Sequence, residues 1–349
     1  MGTSKVEPSS DAQWMLRALE LAQKGVGTTS PNPPVGAVIV KQGRVLGEGY
    51  HERAGELHAE RRAIQNAMER GNTDLSGSTI YITLEPCSSH GKTPPCTDAI
   101  IEHGIARVVY GAVDPDERHR GRADALLAAR GIEVQGRVAE EPCRAFLKPW
   151  MHAVEHKRPW VTAKIAATLD GRIVRRGERW LSCKDSLAYA HQMRAESDAI
   201  LVGGNTVRTD HPALTIRCPL TPVPPCKKQP WRVVLSRHAD SLPRDIALFT
   251  DQYADRTLVF PQVESLKGML EELYGEYGVI RLMLECGGNL LRAFLEQGLV
   301  DEWVQIMTPY LSGGESLLLP GGYLPAEKRL ERTTISSCGQ DIILRGEVV

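Results

Sequence analysis

Three residues able to bind a metal lie where predicted helices and strands meet. His58 opens one predicted helix, Cys87 follows a predicted strand, and Cys96 opens the next helix. One imidazole and two thiolates supply three of the four ligands of a tetrahedral zinc ion, and an open fourth position is typical of a catalytic site. Glu60 lies two residues after His58 and can move the proton of an attacking water. This order, H-x-E followed by P-C and a second Cys, is the signature of zinc-dependent nucleobase deaminases.

Two other interpretations of these residues are open. Each residue alone is commonly a polar residue at a helix start or a cysteine of the core, although their joint order disfavours this. A structural zinc would normally need a fourth protein ligand, for which His90 is the obvious candidate.

The segment between the two cysteines has eight residues, SSHGKTPP, where the generic deaminase pattern has two. It brings His90 and Lys92 close to the predicted metal. A lysine in a polar loop suits an anionic group such as a phosphate on the substrate. A solvated loop stiffened by its prolines is the alternative.

Two glycine turns in the second half of the chain suit phosphate binding. Gly203-Gly204-Asn205 and Gly287-Gly288-Asn289 each lie between a predicted strand and a helix. Glycine lets a backbone approach a phosphate, and a helix N-terminus offers free N–H groups. Taken alone, each turn would more often be a tight connection. Neither fits G-x-G-x-x-G, so a Rossmann domain is not indicated.

The first half of the chain contains alternating elements that must position the metal ligands. Apolar periodicity predicts helices over residues 10–24, 58–70, 96–102 and 124–130, and strands over 35–40, 44–50, 78–84, 106–112 and 132–138. Turn residues between the first two strands predict a hairpin. The alternation predicts a mainly parallel sheet covered by helices, large enough for one domain.

The second half is also predicted to be α/β. Its predicted strands cover residues 160–166, 198–202, 231–235, 279–285, 301–308 and 341–345, its helices cover 184–195, 265–274 and 289–296, and a loop covers 219–230. Residues 146–158 mix Pro, His and charge between two β-like regions. We therefore expect a domain boundary near 150, with domains over 1–150 and 151–349.

Composition excludes several classes of protein. The 349 residues include 42 basic and 43 acidic ones, and the resulting net charge of −1 argues against a nucleic-acid partner. No apolar run is long enough to span a membrane, and the N-terminus lacks a secretory signal, so we expect a cytoplasmic protein. Its eight cysteines are too sparse for a disulfide framework.

Longer motifs resemble the family of bifunctional riboflavin biosynthesis enzymes of the RibD/RibG type. The most specific are TLEPCSSHGKTPPC at 83–96, PNPPVGAVIV at 31–40 and GEGYHERAGELHAE at 47–60. The resemblance runs from about residue 14 to the C-terminus. It implies a cytidine-deaminase-like three-layer α/β/α domain, a zinc-dependent pyrimidine deaminase, over 1–150. It also implies a dihydrofolate-reductase-like α/β domain, an NADPH-dependent reductase, over 151–349.

The implied substrate of the first domain is 2,5-diamino-6-(5-phosphoribosylamino)pyrimidin-4(3H)-one, which is hydrolysed to 5-amino-6-(5-phosphoribosylamino)uracil. By resemblance, zinc is bound by His58, Cys87 and Cys96, and Glu60 is the proton shuttle. Contacts to the base or the ribose phosphate are assigned to Asn32, His51, Lys92 and Asp114. The chemistry agrees, since an amide can pair with a pyrimidine edge and a lysine with phosphate.

The implied second reaction reduces the ribosyl group to ribityl. The resemblance assigns cofactor contacts to Ala166, Trp180, Thr206, Asp210, Ser236, Gly287, Gly288, Asn289, Leu290, Leu291, Arg292 and Ala293. It assigns substrate contacts to Lys164, Arg194, Leu214, Arg217 and Glu285. Guanidinium groups suit bidentate phosphate binding, and Lys164 suits polarising the reacting group. The family usually assembles through its reductase domains, which implies a homodimer.

The chain departs from the family pattern in several places. Ser88-Ser89-His90 keeps one of two histidines that often follow the first zinc Cys. Asp116 places a carboxylate where the family has an amide, Ala123 replaces a glycine, and the segment Gly177–Trp180 is shortened, which leaves one serine contact unassigned. Neighbouring arginines such as Arg120 offer compensation for the added negative charge.

Two competing functions predict different behaviour. A deaminase acting on another base or on tRNA, with an accessory C-terminal domain, predicts a basic surface and leaves the reductase motifs unexplained. A zinc-stabilised binding module without chemistry predicts that Glu60→Gln loses its fold and has no reaction rate to lose.

Overall fold

The computed structural model describes residues 10–89, 94–117, 120–178, 180–217 and 228–349. The chain forms two compact units, Met1–His156 and Lys157–Val349. Within the described part of the chain, no helix has the length and apolarity needed to cross a bilayer.

The first unit is built on one five-stranded sheet. Its strands are β1 (Gly36–Lys41), β2 (Arg44–Tyr50), β3 (Thr79–Leu84), β4 (Arg107–Ala112) and β5 (Glu133–Gln135). Its helices are α1 (Ser10–Gln23), α2 (Ala59–Glu69), α3 (Cys96–Glu102), α4 (Arg122–Ala128) and α5 (Glu140–His156). The order across the sheet is β2-β1-β3-β4-β5.

The sheet is mixed and not mainly parallel as expected. Strands β3, β4 and β5 run parallel, whereas β1 is antiparallel to both β2 and β3. Gln42 and Gly43 form the two-residue connection between β1 and β2, and both have positive φ, 52° and 76°. Such a turn matches the twist of an antiparallel strand pair. The predicted hairpin therefore makes β1 antiparallel to β2.

Helices cover both faces of this sheet. A Cβ atom at Gly36 would lie 2.0 Å from the Ala18 carbonyl oxygen of α1, and one at Gly49 would lie 2.4 Å from the Ala63 nitrogen of α2. Ala37 follows Gly36 and is paired with Gly49, so it lies on the α2 face because neighbouring residues of a strand point to opposite faces. Helices α1 and α2 therefore pack on opposite faces, which gives the three layers α/β/α.

Helix α5 corrects the expected boundary. Residues 146–158 mix Pro, His and charge and were expected to contain the boundary near 150, but α5 runs through Pro149 to His156. Cys143, Leu147 and Trp150 of α5 are buried and recur at helical spacing, so one face packs on the sheet while the charged residues face outward. The first unit consequently extends six residues beyond 150.

The second unit contains an eight-stranded sheet. Its strands are β6 (Trp160–Thr168), β7 (Ala199–Gly203), β8 (Trp231–Leu235), β9 (Thr257–Phe260), β10 (Arg281–Leu284), β11 (Glu302–Thr308), β12 (Leu330–Cys338) and β13 (Asp341–Val348). Its helices are α6 (Lys184–Glu196), α7 (Gly204–Asp210), α8 (Ala247–Thr250), α9 (Leu266–Gly275) and α10 (Gly288–Glu296). Two short 3₁₀ turns complete it, at Ala239–Ser241 and Ala254–Arg256.

The strand order is β12-β13-β11-β6-β10-β7-β8-β9. From β11 to β9 all neighbours are parallel, whereas β12 and β13 are antiparallel additions at one edge. The main core lies between the sheet and helices α9 and α10, with Val161, Leu282 and Phe294 almost fully buried. The parallel arrangement places the ends of β10, β7, β8 and β9 side by side at one edge, where ligands bind in open α/β sheets.

Several elements of the second unit were not predicted. Strand β12 has exposed residues along almost its whole length, so it lacks an alternating apolar pattern. Strand β9 and helix α8 have only four residues each, too few for a periodic pattern. Helix α7 begins at the glycine turn Gly203-Gly204, as the strand-to-helix interpretation of that turn requires, but no range was predicted for it. The predicted loop at 219–230 lies mostly outside the described residues.

Candidate active sites

The three predicted zinc ligands meet at one point of the first unit. His58 is the N-cap of α2, and Cys96 is the first residue of α3. The Nδ1 atom of His58 lies 3.6 Å from Sγ of Cys87 and 3.4 Å from Sγ of Cys96. All three ligand atoms lie within 4.8 Å of one another.

These residues fit a tetrahedral zinc ion. Bond lengths of about 2.3 Å to sulfur and about 2.0 Å to nitrogen imply ligand separations of roughly 3.5 Å, which the observed distances match. The donor set of one imidazole and two thiols is a common zinc set. Among the described residues no fourth His, Cys, Asp or Glu joins the group. His90, the candidate fourth ligand, lies outside the described residues.

The environment favours a thiolate at Cys87. Hydrogen bonds from Cys96 and from His58 lower the pKa of the Cys87 thiol to about 4, although burial opposes this. The backbone N–H of Cys96 also donates to Sγ of Cys87 over 3.2 Å, at the start of α3. Thiolate is the form that binds zinc.

Glu60 lies beside these ligands. Its residue is 4% exposed, and its carboxyl group hydrogen-bonds the Cys96 thiol. Burial, followed by the nearby negative charge of Cys87, raises the pKa of Glu60. The structure therefore brings the predicted proton shuttle into contact with a predicted zinc ligand.

Asn32 and His51 form a hydrogen-bonded pair next to the metal ligands. The His51 ring is buried and lies 5.4 Å from the His58 ring, measured between centroids. Burial lowers the pKa of His51, which favours the neutral ring. Nδ1 of His51 lies 2.9 Å from the Leu57 carbonyl oxygen, which requires the proton on Nδ1. Nε2 then accepts from Nδ2 of Asn32 over 3.1 Å, and the amide oxygen of Asn32 is oriented by this bond.

Asp114 is held by a buried glutamate that sequence reasoning missed. The Asp114 backbone N–H donates to Oε2 of Glu85 over 3.3 Å, and Oδ1 of Asp114 accepts the N–H of Asp116 over 2.8 Å. Glu85 is 4% exposed. It stands two residues before Cys87 in the motif 83–96. Its position directly after the predicted strand 78–84 was the sequence signal that could have identified it. Lys92 lies outside the described residues.

The second unit has a cleft of about 840 Å³ at the ends of its parallel strands. Both Gly-Gly-Asn turns line it, Gly203-Gly204-Asn205 after β7 and Gly287-Gly288-Asn289 after β10. Gly204 is required there because a Cβ atom would lie 2.3 Å from Oγ of Ser236. The structure thus brings the two turns to one cavity.

The predicted cofactor residues divide into two groups. Those that line the cleft are Thr206, Ser236, Gly287, Gly288, Asn289, Leu290 and Ala293. In the described part of the chain, the lining does not include Ala166, Trp180, Asp210, Leu291 or Arg292. Leu291 is buried in the core, and the Arg292 guanidinium is bound to Glu296 and to the carbonyl oxygens of Pro320, Gly322 and Tyr323. Lining residues that sequence reasoning missed include Arg208, His238 and Val263.

Three predicted substrate residues form a partly buried charge cluster. Arg194 makes a bidentate pair with Glu285, with Nε to Oε1 at 2.6 Å and Nη2 to Oε2 at 2.9 Å. Nζ of Lys164 lies 3.6 Å from Oε2 of Glu285. Burial alone would raise the pKa of Glu285, but the charges of Arg194 and Lys164 lower it to about 2. The cluster therefore carries two positive charges against one negative charge.

Arg217 and Leu214 lie on the segment after α7. Leu214 is 2% exposed and its side chain is buried with Val202 and Val234, so its side chain is part of the core. The backbone N–H of Arg217 donates to Nδ1 of His191 over 3.3 Å. Burial and the charges of Arg194 and Arg217 lower the pKa of His191 to about 4. His191 is thus a neutral residue of this site that sequence reasoning missed.

Two family models match the chain. Residues 159–344 match the RibD C-terminal domain, and residues 8–112 match the cytidine and deoxycytidylate deaminase zinc-binding region. The first match accounts for the second half of the chain, which a deaminase with an unrelated accessory domain leaves unexplained.

Relatives cover nearly the whole chain. The riboflavin biosynthesis protein RibD of Aquifex aeolicus is 36% identical, with 96% of this chain and 97% of that protein aligned. The RibD of Escherichia coli is 35% identical over 89% of this chain and 92% of its own.

Solved structures agree with these relatives. A RibD of Acinetobacter baumannii superposes with a TM-score of 0.87 at 31% identity, covering 97% of this chain and 99% of that one. A Thermotoga maritima protein, a diaminohydroxyphosphoribosylaminopyrimidine deaminase/5-amino-6-(5-phosphoribosylamino)uracil reductase, gives a TM-score of 0.85 at 34% identity with the same coverage.

Proposed function

The chain belongs to the RibD family of riboflavin biosynthesis proteins, and from that premise we propose how its two units divide the two reactions. The protein is a bifunctional enzyme, a zinc-dependent pyrimidine deaminase and an NADPH-dependent reductase. We assign deamination to residues 1–156 and reduction to residues 157–349. The observation that carries this assignment is that each unit contains its own site, a zinc ligand set in the first and a glycine-lined cleft in the second.

In the first unit, His58, Cys87 and Cys96 would hold zinc, which supplies the Lewis acidity that activates water at neutral pH. Water adds to the ring carbon that carries the exocyclic amine, and ammonia leaves. Glu60 takes a proton from the attacking water and passes it to the leaving nitrogen, a role supported by its buried position against Cys96.

The substrate of this unit is a phosphorylated pyrimidine. Asn32 contacts the pyrimidine edge, and its bond to His51 fixes the direction of the amide. A fixed amide discriminates between ring edges because a mismatched donor or acceptor would be left unpaired. Asp114 and Lys92 contact the ribose phosphate side of the substrate. For Asp114, the support is the anchoring of its loop to Glu85.

In the second unit, NADPH supplies the hydride. The glycine turns and the N-terminus of α10 suit the cofactor pyrophosphate, because the first N–H groups of a helix have no partner within the helix and can bind an anion. Lys164, Glu285 and Arg194 bind and orient the ribosyl side of the substrate, where their net positive charge suits a phosphate. Arg194 must then exchange part of its pairing with Glu285 for the substrate.

We further propose a homodimer formed through the second unit. Support comes from β12, a nine-residue strand at the edge of the sheet whose residues are almost all exposed. Ile335 in its middle is 73% exposed. An unpaired edge with an exposed apolar side chain suits pairing with another chain.

A cytoplasmic location remains our prediction. The six cysteines within the described residues are all free thiols, which fits a reducing compartment.

The experiment is a paired assay of the full-length enzyme. It supplies 2,5-diamino-6-(5-phosphoribosylamino)pyrimidin-4(3H)-one and NADPH, and follows ammonia release and NADPH oxidation separately. We expect one ammonia and one oxidised NADPH per substrate, with ammonia first. Ammonia release without any NADPH oxidation would refute the assignment of the second unit, and the absence of ammonia release from zinc-loaded enzyme would refute that of the first.

A further inference from the structure

The cleft of the second unit gives a direction to the cofactor, if that unit is the reductase proposed above. Glu285 directly follows β10 and lies level with Lys164 of β6. Because these two residues are the proposed substrate contacts, the substrate end of the cleft lies at these two strands. The cleft lining continues from Gly287 past β7 and β8 to Val263, which follows β9. Neighbouring strands are about 4.8 Å apart, so β9 lies roughly 14 Å from β10. The nicotinamide must reach the substrate end, and the adenosine end therefore extends towards β8 and β9.

Arg208 stands at the adenosine end of the cleft. It lies on α7 one turn after Gly204, on the same helix face. Nη2 of Arg208 donates to Oδ1 of Asn205 over 2.9 Å, and Nη1 donates to Oγ of Ser241 over 3.1 Å and to the His238 carbonyl oxygen over 3.4 Å. These acceptors are all neutral. Within the described ranges, Arg208 makes no ion pair with a carboxylate, so its charge is held in place but not neutralised.

Ser236 adds a donor at the same position. Its Oγ accepts from Nη1 of Arg208 at 3.5 Å and from the N–H of His238 at 3.3 Å. With both lone pairs engaged, its hydroxyl proton is free to donate. Arg237 and His238 also line this end of the cleft. A positive group fixed beside a hydroxyl donor is the arrangement that binds a phosphate monoester.

We propose that Arg208, together with Ser236, binds the 2′-phosphate of NADPH and determines the preference for NADPH over NADH. The two cofactors differ only in that phosphate, which is a hydroxyl in NADH. A guanidinium without a carboxylate partner gains a charge-assisted pair from NADPH and gains little from NADH. Arg208 is thus a specificity-determining residue and takes no part in hydride transfer.

The test measures kcat/KM for NADPH and for NADH in wild type and in Arg208→Gln, with the deaminated pyrimidine as substrate. We expect the ratio of kcat/KM for NADPH to kcat/KM for NADH to fall roughly 10- to 100-fold through a higher KM for NADPH, as expected for one charge-assisted bond. The kcat/KM for NADH should stay within about twofold of wild type. Arg244→Gln is the matched control, because Arg244 packs over the Phe249 ring and is not among the described residues that line the cleft.

Binding of cofactor fragments gives a readout that needs no turnover. Calorimetry should show weaker binding of 2′,5′-ADP to Arg208→Gln and unchanged binding of 5′-AMP. An unchanged NADPH to NADH ratio in Arg208→Gln, or an equal loss for both cofactors, would overturn the proposal while leaving the reductase assignment intact. Wild type that oxidises neither cofactor would instead overturn the proposed function.

Discussion

Replacing Glu285 by Gln should destabilise the second unit because it breaks the centre of a charge cluster. Glu285 pairs with Arg194 through two hydrogen bonds and with Lys164 at 3.6 Å. The side chains of Arg194 and Glu285 are only 14% and 12% exposed. In Glu285→Gln the two cations remain, and the amide cannot compensate their charge.

Two estimates give the size of this effect. The pKa of Glu285 falls from 4.5 to about 2 in the folded chain, and at about 1.36 kcal/mol per pKa unit this corresponds to about 3 kcal/mol. Removing one partner of a buried ion pair typically costs about 3–5 kcal/mol. We therefore expect a loss of about 3 kcal/mol in the free energy of unfolding at pH 7.

The effect has a defined pH dependence. Because the folded pKa lies below the unfolded one, the stabilisation is complete above pH 4.5 and is lost as the pH falls from 4.5 towards 2. The free energies of unfolding of wild type and Glu285→Gln, measured with urea, should therefore differ most near neutral pH. The difference should shrink below pH 4.5. Glu271→Gln is the control, since Glu271 pairs with Lys267 on the surface of α9. A Glu285→Gln variant as stable as Glu271→Gln at pH 7 would refute the reasoning.

Three further predictions concern packing, the pyrimidine site and the metal. Gly47→Ala should destabilise the first unit by about 2 kcal/mol in thermal unfolding, because the Cβ atom would lie 2.3 Å from the Ala63 carbonyl oxygen. The control Gly275→Ala meets no atom within 4 Å and should stay within about 0.5 kcal/mol of wild type. Asn32→Ala should lower kcat/KM for deamination roughly tenfold with unchanged zinc content, as expected for one lost hydrogen bond; a reduced zinc content would contradict its placement as a substrate contact. Chelation of zinc should abolish ammonia release but leave NADPH oxidation with the deaminated substrate intact, and loss of both activities would contradict independent sites.

The zinc site was predictable from sequence because its ligands stand at element ends. Helix starts at 58 and 96 follow from local spacing, and the fold places helix starts at the ends of the strands they follow. Asn32 was found through family resemblance alone. Its proposed role depends on the neutral tautomer of His51, which no sequence pattern reveals.

The reductase cleft was only partly predictable. The repeated Gly-Gly-Asn turns were visible in the sequence, and the structure brings both to one cavity. Arg208 and Val263 come to that cavity through the order of β7, β8 and β9 in the sheet, which sequence spacing does not give. The charged residues and Pro149 within 146–158 concealed α5 in the sequence. Its buried residues Cys143, Leu147 and Trp150 recur at helical spacing and place one face of the helix against the sheet.

The most direct test of two separate chemistries in one chain is Glu60→Gln with its zinc content verified. Supplied with the diamino substrate, the variant should release ammonia at least about 100-fold more slowly than wild type, whereas Glu69→Gln on the exposed part of α2 should match wild type. Supplied with 5-amino-6-(5-phosphoribosylamino)uracil, Glu60→Gln should oxidise NADPH at the wild-type rate. Unchanged ammonia release would contradict Glu60 as the proton shuttle, and loss of NADPH oxidation would contradict two independently working sites.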